Sequence, residues 1–215
     1  SGKVMEVNGE LLENRGQINA VKSIKLSAKD DITNIDAGLI KSGGELTITS
    51  QEGRLQNINS DPVRFNKSGI IAVDKATIDA ALGFTNNKAH IQSGKSLEIL
   101  TKGSFLNDSG NMIAGELLTL RVDGDVENLS GGAIQGIKGV RVRGYDNLST
   151  SKSLTNTGSI SAGFKQEGLL TIPGTVDILT KEAITNTGVI QAVKDVSLEV
   201  TEGKLQNNST ILAQT

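Results

Sequence analysis

Short runs in which apolar and polar residues alternate recur along the whole chain. They are SIKLSA at 23–28, ELTITS at 45–50, ATIDAA at 76–81, SLEILT at 96–101, LLTLRV at 117–122, GVRVRG at 139–144, TVDILT at 175–180 and DVSLEV at 195–200. A period of two puts apolar side chains on one face and polar ones on the other, which predicts a strand with one buried face at each place. Helical periodicity is sustained nowhere. The second apolar residues of these runs, Leu26, Ile48, Ile78, Ile99, Leu120, Val142, Ile178 and Leu198, are spaced 22, 30, 21, 21, 22, 36 and 20 residues apart. A unit of about 20–22 residues therefore repeats, with two longer intervals, and a repeat of that length predicts a coil of stacked turns.

A second signature shares the period. Residues 12–20 are LENRGQINA, 154–162 are LTNTGSISA and 184–192 are ITNTGVIQA. The unit is too short for a pair of helices, and its Gly, Asn, Thr and Ser suit strands joined by tight corners. Leucine-rich repeats have a similar length, but their convex side needs a helical or 3₁₀ segment that no run here supplies. The expectation is an all-β chain folded as a right-handed parallel β-helix, a solenoid of about eight to nine rungs with loop insertions. It occupies residues 1–215 as one segment excised from a longer repeat protein. With strands about 4.8 Å apart, such a rod is on the order of 40 Å long.

The asparagines Asn14, Asn34, Asn57, Asn107, Asn128, Asn156, Asn186 and Asn207 nearly all follow an apolar residue by two. At a corner Asn tolerates left-handed backbone, and stacked amides bond the copies above and below, so these eight are expected to form a structural ladder. Gly16, Gly38, Gly132, Gly158 and Gly188 are expected at corners where a side chain would clash or force a strained φ.

Composition narrows the function classes. The chain has 25 Gly, 2 Pro, 1 Tyr, 4 Phe and neither Cys nor Trp, so Ile, Leu, Val and Ala must fill a narrow interior. A formal net charge of −2 gives no reason to expect nucleic acid or an anionic membrane. No run has the length or apolarity of a transmembrane helix, and no signal peptide opens the chain. No glycine-rich run has the context of a phosphate loop, so no cofactor is expected. His90 is the only histidine, which leaves His-based triads and two-His metal sites without a partner. It precedes Ile91 in a strand and is expected to point outward. Asp30–Asp31 and Asp123–Asp125 complete no calcium-binding loop. The residues between the apolar pairs, among them Lys25, Glu98, Arg141 and Asp177, form a mixed solvated face. A polysaccharide-degrading β-helix would instead need grouped carboxylates, so no catalytic or metal-binding residue is expected and the chain is not expected to be an enzyme.

Three insertions break the period: 59–68, 145–153 and 163–174. They hold three of the five aromatic residues. Loops on a rigid scaffold carry contacts, and aromatic and Arg side chains are common anchors, so Arg64, Phe65, Tyr145 and Phe164 are the candidate partner contacts. The competing expectation is that these side chains fold back over the coil. LLTIP at 169–173 is apolar enough to add a strand against the shaft.

The pattern L-x-N-x-G-x-I-x-A, followed by a short alternating strand and repeated about every 20 residues from Leu12 to Ala213, resembles the filamentous haemagglutinin repeats of Gram-negative two-partner secretion exoproteins. LTNTGSISA and ITNTGVIQA carry the resemblance best. It implies a secreted or cell-surface shaft of an adhesin, or the stalk or receptor-binding part of a contact-dependent growth-inhibition toxin exoprotein. The implied partners are an outer-membrane secretion transporter and a host-cell or bacterial surface receptor or glycan. The NPNG and NPNL motifs of the family's secretion domain are missing, which suggests an interior segment. Such a fragment is expected to be monomeric, with end-to-end association through its open strand edges. Export through a pore would also account for the missing cysteines, since a disulfide could block threading.

Overall fold

Each alternating run folds as a strand because its β-branched and leucine side chains fill one face while Thr, Ser or a charged residue takes the other. In the computed structural model, which describes residues 4–59, 68–146, 148–163 and 171–214, 26 strands follow one another and there is no helix among the described residues. Every pairing is parallel, each strand lying beside its equivalent in the preceding and following turns. The strands stack as a β-solenoid of about nine turns with three walls.

The first wall runs from Val4–Gly9 to Asp195–Val200, the second from Leu12–Asn14 to Lys204–Asn207, and the third from Gln17–Ala20 to Thr210–Ala213. The first two walls merge into one 17-stranded sheet, and the third is a separate 9-stranded sheet. They merge at Thr175–Asn186, a 12-residue strand that turns from the first wall into the second without interruption. Several other rungs break at that corner on a glycine, such as Gly53, Gly103 or Gly124, which the sequence LTKEAI at 179–184 lacks.

Stacking is in register. Leu26 pairs with Ile48, Ile48 with Ile78, Ile78 with Ile99, Ile99 with Leu120, Leu120 with Val142, Val142 with Ile178, and Ile178 with Leu198. The aliphatic markers of the repeat thus stand in one column. Val7 extends it by one turn below Leu26, in the strand VMEVNG, which the sequence pattern did not single out. A parallel column runs up the third wall from Ile18 to Ile211, with Met112 as its one departure from isoleucine. On the second wall Phe84 and Phe105 fall on adjacent rungs, and their rings stack at 5.6 Å. Two large rings fit because each is flat and parallel to its neighbour, keeping to the rung rise.

These columns are fully buried in the middle of the rod and open at its two ends. The hydroxyls of Ser42, Ser50 and Thr180 are buried beside them and satisfy corner carbonyls of Glu45, Asp30 and Ala183 at 2.7, 2.7 and 3.1 Å. Small polar residues are tolerated inside because each has a backbone partner.

Position along the stack therefore governs the cost of truncation. Ile99→Ala empties a sealed column and is expected to lower unfolding free energy by about 2–5 kcal/mol. Leu205, on the last rung, keeps 44% of its surface exposed, so Leu205→Ala is expected to cost less than half as much. Urea titrations followed by circular dichroism measure both; equal costs would contradict the columnar packing.

Candidate functional site

Asparagine supplies the largest repeated polar feature of the interior. The amide nitrogen of Asn14 donates to the side-chain oxygen of Asn34, and the pattern continues through Asn57, Asn86, Asn107, Asn128, Asn156 and Asn186 to Asn207. All eight bonds are 2.7–2.8 Å and run in the same direction. The second proton of the amide goes to a carbonyl of the same rung's corner, as from Asn34 to Gly38, Asn86 to Ala89, Asn107 to Gly110 and Asn128 to Gly132 at 3.0–3.1 Å. An amide has two donors and an acceptor, and here all are used inside a dry core. Because the oxygens accept within the file, these amides present nothing to a ligand.

The ninth member, Asn86, was not picked out by the repeat motif. Its rung turns the corner as FTNNKAHI, with no glycine and one residue more between Asn and Ile than in LTNTGSI. Corners come in two forms. Where Ile follows the Asn by four residues, as after Asn156 and Asn186, no residue has positive φ. Where that Ile, or Met112 in its place, follows by five or six, a residue two beyond the Asn takes the left-handed conformation: Asp36, Lys88, Ser109 and Ser130, with φ between 51° and 59°. The stacked Asn residues themselves do not use the left-handed backbone that Asn tolerates, because a residue whose amide must reach axially into the stack stays in the extended strand.

The corner glycines answer to space. A Cβ on Gly38 would lie 2.4 Å from Asn34 Oδ1, on Gly132 2.5 Å from Asn128 Oδ1, and on Gly158 and Gly188 2.1 Å from the carbonyl oxygen of the glycine one rung below. None of the four has positive φ. Gly16 has nothing within 4 Å, since no described rung lies below it.

Of the four candidate contact residues, Arg64, Phe65 and Phe164 lie outside the described residues. Residues flanking the three insertions sit at three different corners: Asn59 and Ser68 between the second and third walls, Gly144 between the first and second, Gly163 and Thr171 between the third and first. They do not converge. Of LLTIP only 171–173 is described.

Tyr145 folds back onto the shaft. Its hydroxyl lies 3.2 Å from Asp79 Oδ2, three rungs away, its amide donates to Asp123 Oδ1 at 2.8 Å, and its ring lies 5.5 Å from Lys102 Nζ and 5.9 Å from Arg121 Cζ. Burial first, then the Asp79 carboxylate, raises the phenol's pKa. The ring thus covers the outward file of Asp79, Leu100, Arg121 and Arg143. The side chain this loop presents is Leu148, at 90% exposure.

Leu148 is held out by a closed turn. Gly144 donates to the Ser149 carbonyl at 2.9 Å, and the amides of Leu148 and Ser149 donate to Asp146 Oδ1 at 2.9 and 2.6 Å. The Ser149 hydroxyl and these amides hold the Asp146 carboxyl below its ordinary pKa. Sequence inspection passed over Leu148 in favour of the aromatic residue beside it; the D-N-L-S turn was the available signal.

No group of His, Cys, Asp or Glu among the described residues is arranged to hold a metal ion, and no helix among them is long and apolar enough to cross a membrane. His90 heads its third-wall strand with Nε2 3.2 Å from Gln92 Oε1. The first-wall charges pair across rungs, Arg121 with Glu98 at 3.3 Å and Arg141 with Asp177 at 3.6 Å.

Comparison with known proteins places this geometry. The chain matches no protein-family model, and no solved structure matches it. Over 91% of its length it is 24% identical to the tRNA nuclease CdiA of Yersinia mollaretii, of which it spans only 8%. The similarity runs along the solenoid and is consistent with a haemagglutinin-type repeat segment of a two-partner secretion exoprotein.

The asparagine file makes a sharp prediction. Asn107→Ala takes from the Asn86 amide one of its two acceptors, leaves the Asn128 oxygen without its donor inside the core, and is expected to cost about 3 kcal/mol in chemical denaturation, while the Gly110 carbonyl keeps the Ala133 amide. For Asn107→Asp the acid is buried, so its folded pKa lies above its unfolded value of about 3.9. That variant is expected to be nearest the parent below about pH 4 and to lose stability as pH rises through the folded pKa. Asn207→Asp, on the exposed last rung, should show little of this.

Proposed function

We propose that this chain is a length of rigid shaft in a secreted or surface-exposed filamentous exoprotein, which holds functional parts away from the cell and touches other surfaces through its corner loops. The carrying observation is the registration of three walls over about nine turns, with one register shift between Ser151 and Ser153, in a chain whose similarity to CdiA covers nearly all of it. A rod built from equal turns transmits length and stiffness, since each turn contacts only its neighbours. The nuclease named in the relative resides, on this reading, in the part of that protein beyond the 8% matched here.

Two roles share this architecture. One is an adhesin meeting a host-cell receptor or glycan. The other is the stalk or receptor-binding part of a growth-inhibition exoprotein meeting another bacterium, and the similarity to CdiA favours it. In both, an outer-membrane transporter exports the chain. A polysaccharide-degrading role draws no support from the scattered, mutually paired carboxylates of the first wall.

Contact is assigned to the insertions, with Leu148 added to Arg64, Phe65 and Phe164 and Tyr145 reassigned to bracing the loop. The test is capture of surface proteins from bacterial outer membranes, or attachment to intact host cells, by the purified chain. Deleting 59–68 and 163–174 together with Leu148→Glu is expected to abolish capture while circular dichroism stays β-rich. Capture unchanged by all three would remove the insertions from the proposal, and absence of the parent protein from the bacterial exterior would remove the shaft reading itself.

A further inference from the structure

The three walls differ in what they show to solvent. Outward positions of the first wall carry Asp79, Glu98, Arg121, Arg141, Arg143 and Asp177. Seven of the nine strands of the third wall, those from Gly69–Ala72 to Thr210–Ala213, carry no Asp, Glu, Lys or Arg. Their central outward file is Ile71, Gln92, Ile113, Gln135, Ser161, Gln191 and Leu212, one per rung and in register. Below Ile71 the same file continues with Lys41, and at the rim toward the first wall charges are paired, Lys95 with Asp74 at 2.7 Å and Lys138 with Glu116 at 2.8 Å.

Solvent exposure alone does not call for a charge-free stripe. Exposed sheet faces ordinarily carry interspersed charges that keep them soluble and apart, as the first wall does. Within the stripe, a depression of about 300 Å³ is lined by Gln135, Ser161, Gly163, Gln191, Val193 and Gln214. The side chains of Gln135, Ser161 and Gln191 make no hydrogen bond to the protein among the described residues. They present amide and hydroxyl groups at the rung spacing, with donors and acceptors both open.

We propose that the outer face of the third wall binds a neutral, linear, hydroxyl-rich polysaccharide lying along the rod axis. This rests on the reading of the chain as an exposed shaft and names a ligand class for it. An anionic or cationic partner would find no counter-charge between Ile71 and Leu212 and would lose hydration there without return. A flat protein partner is disfavoured by size: seven strands about 4.8 Å apart and four residues wide span roughly 400 Å², half of what each side of a stable protein interface buries. An extended sugar chain is one ring wide, and its rings advance by about a rung's rise, so amides meet hydroxyls while Ile71 and Ile113 lie under the apolar edges of the rings. Each contact is weak, and affinity accumulates along the polymer.

Affinity gel electrophoresis of the 215-residue chain through soluble β-glucan, dextran or galactomannan, with heparin and polygalacturonate for contrast, tests this. The expected result is retardation by at least one neutral polymer and by neither anionic one. Gln135→Glu and Gln191→Glu, the first half-buried, the second exposed and both nearly isosteric, should each weaken retention about 5-fold or more with unchanged thermal unfolding. Thr119→Glu on the first wall should leave it unchanged. Failure of every neutral polymer to retard the parent chain, or retention indifferent to both glutamine substitutions, would overturn the proposal. Loop-dependent capture of surface proteins persisting alongside such a failure would leave the shaft reading standing.

Discussion

Parallel strands hydrogen-bonded at a fixed rise place every residue directly above its equivalent one turn earlier, and the rest of the molecule follows from that. A column favours side chains that pack against like neighbours above and below. Aliphatic residues do so by interdigitating, the two phenylalanines by lying flat, and asparagine by linking amide to amide. Backbone pairing and side-chain likeness enforce one another: a slip in register would break both a wall of hydrogen bonds and the match within several columns at once.

The asparagine file is the polar expression of the same constraint. Nine amides in a row, eight of them donating to the next and seven also to a carbonyl of their own corner, hold the corner between the second and third walls at constant height. Corners of different length are accommodated because the extra residues bulge outward through a left-handed position and leave the amide in place. Glycine is required there by the closeness of the neighbouring rung, a constraint on volume.

Much of this was legible in the residues. The period, the aliphatic column from Leu26 to Leu198 and eight of the nine stacked asparagines follow from alternation and spacing, because identical environments select similar residues. Asn86 escaped because its corner lacks glycine and has a different length, so a fixed motif skips it. The first strand, VMEVNG, escaped because its solvent-facing residues include Val4 and blur the alternation. At the surface no neighbour imposes likeness, and the pattern says little: Tyr145 turned inward to an Asp three rungs away, a contact no local spacing announces, while Leu148 stands out. The charge-free stretch of the third wall emerges only once seven separate four-residue strands are known to share a face.

For function, the solenoid supplies rigidity and repetition, and its surface is free to differ wall by wall. A charged wall braced by cross-rung ion pairs, a neutral wall and corner loops are three distinct ways for one rod to meet its surroundings. The most direct test of the stacked interior is hydrogen exchange of the asparagine side-chain amides by nuclear magnetic resonance. Nδ2 protons of Asn86, Asn107, Asn128 and Asn156 should exchange only with global unfolding, and those of Asn207 much faster. Solvent-like exchange at the four central residues would contradict the ladder and the registration that creates it.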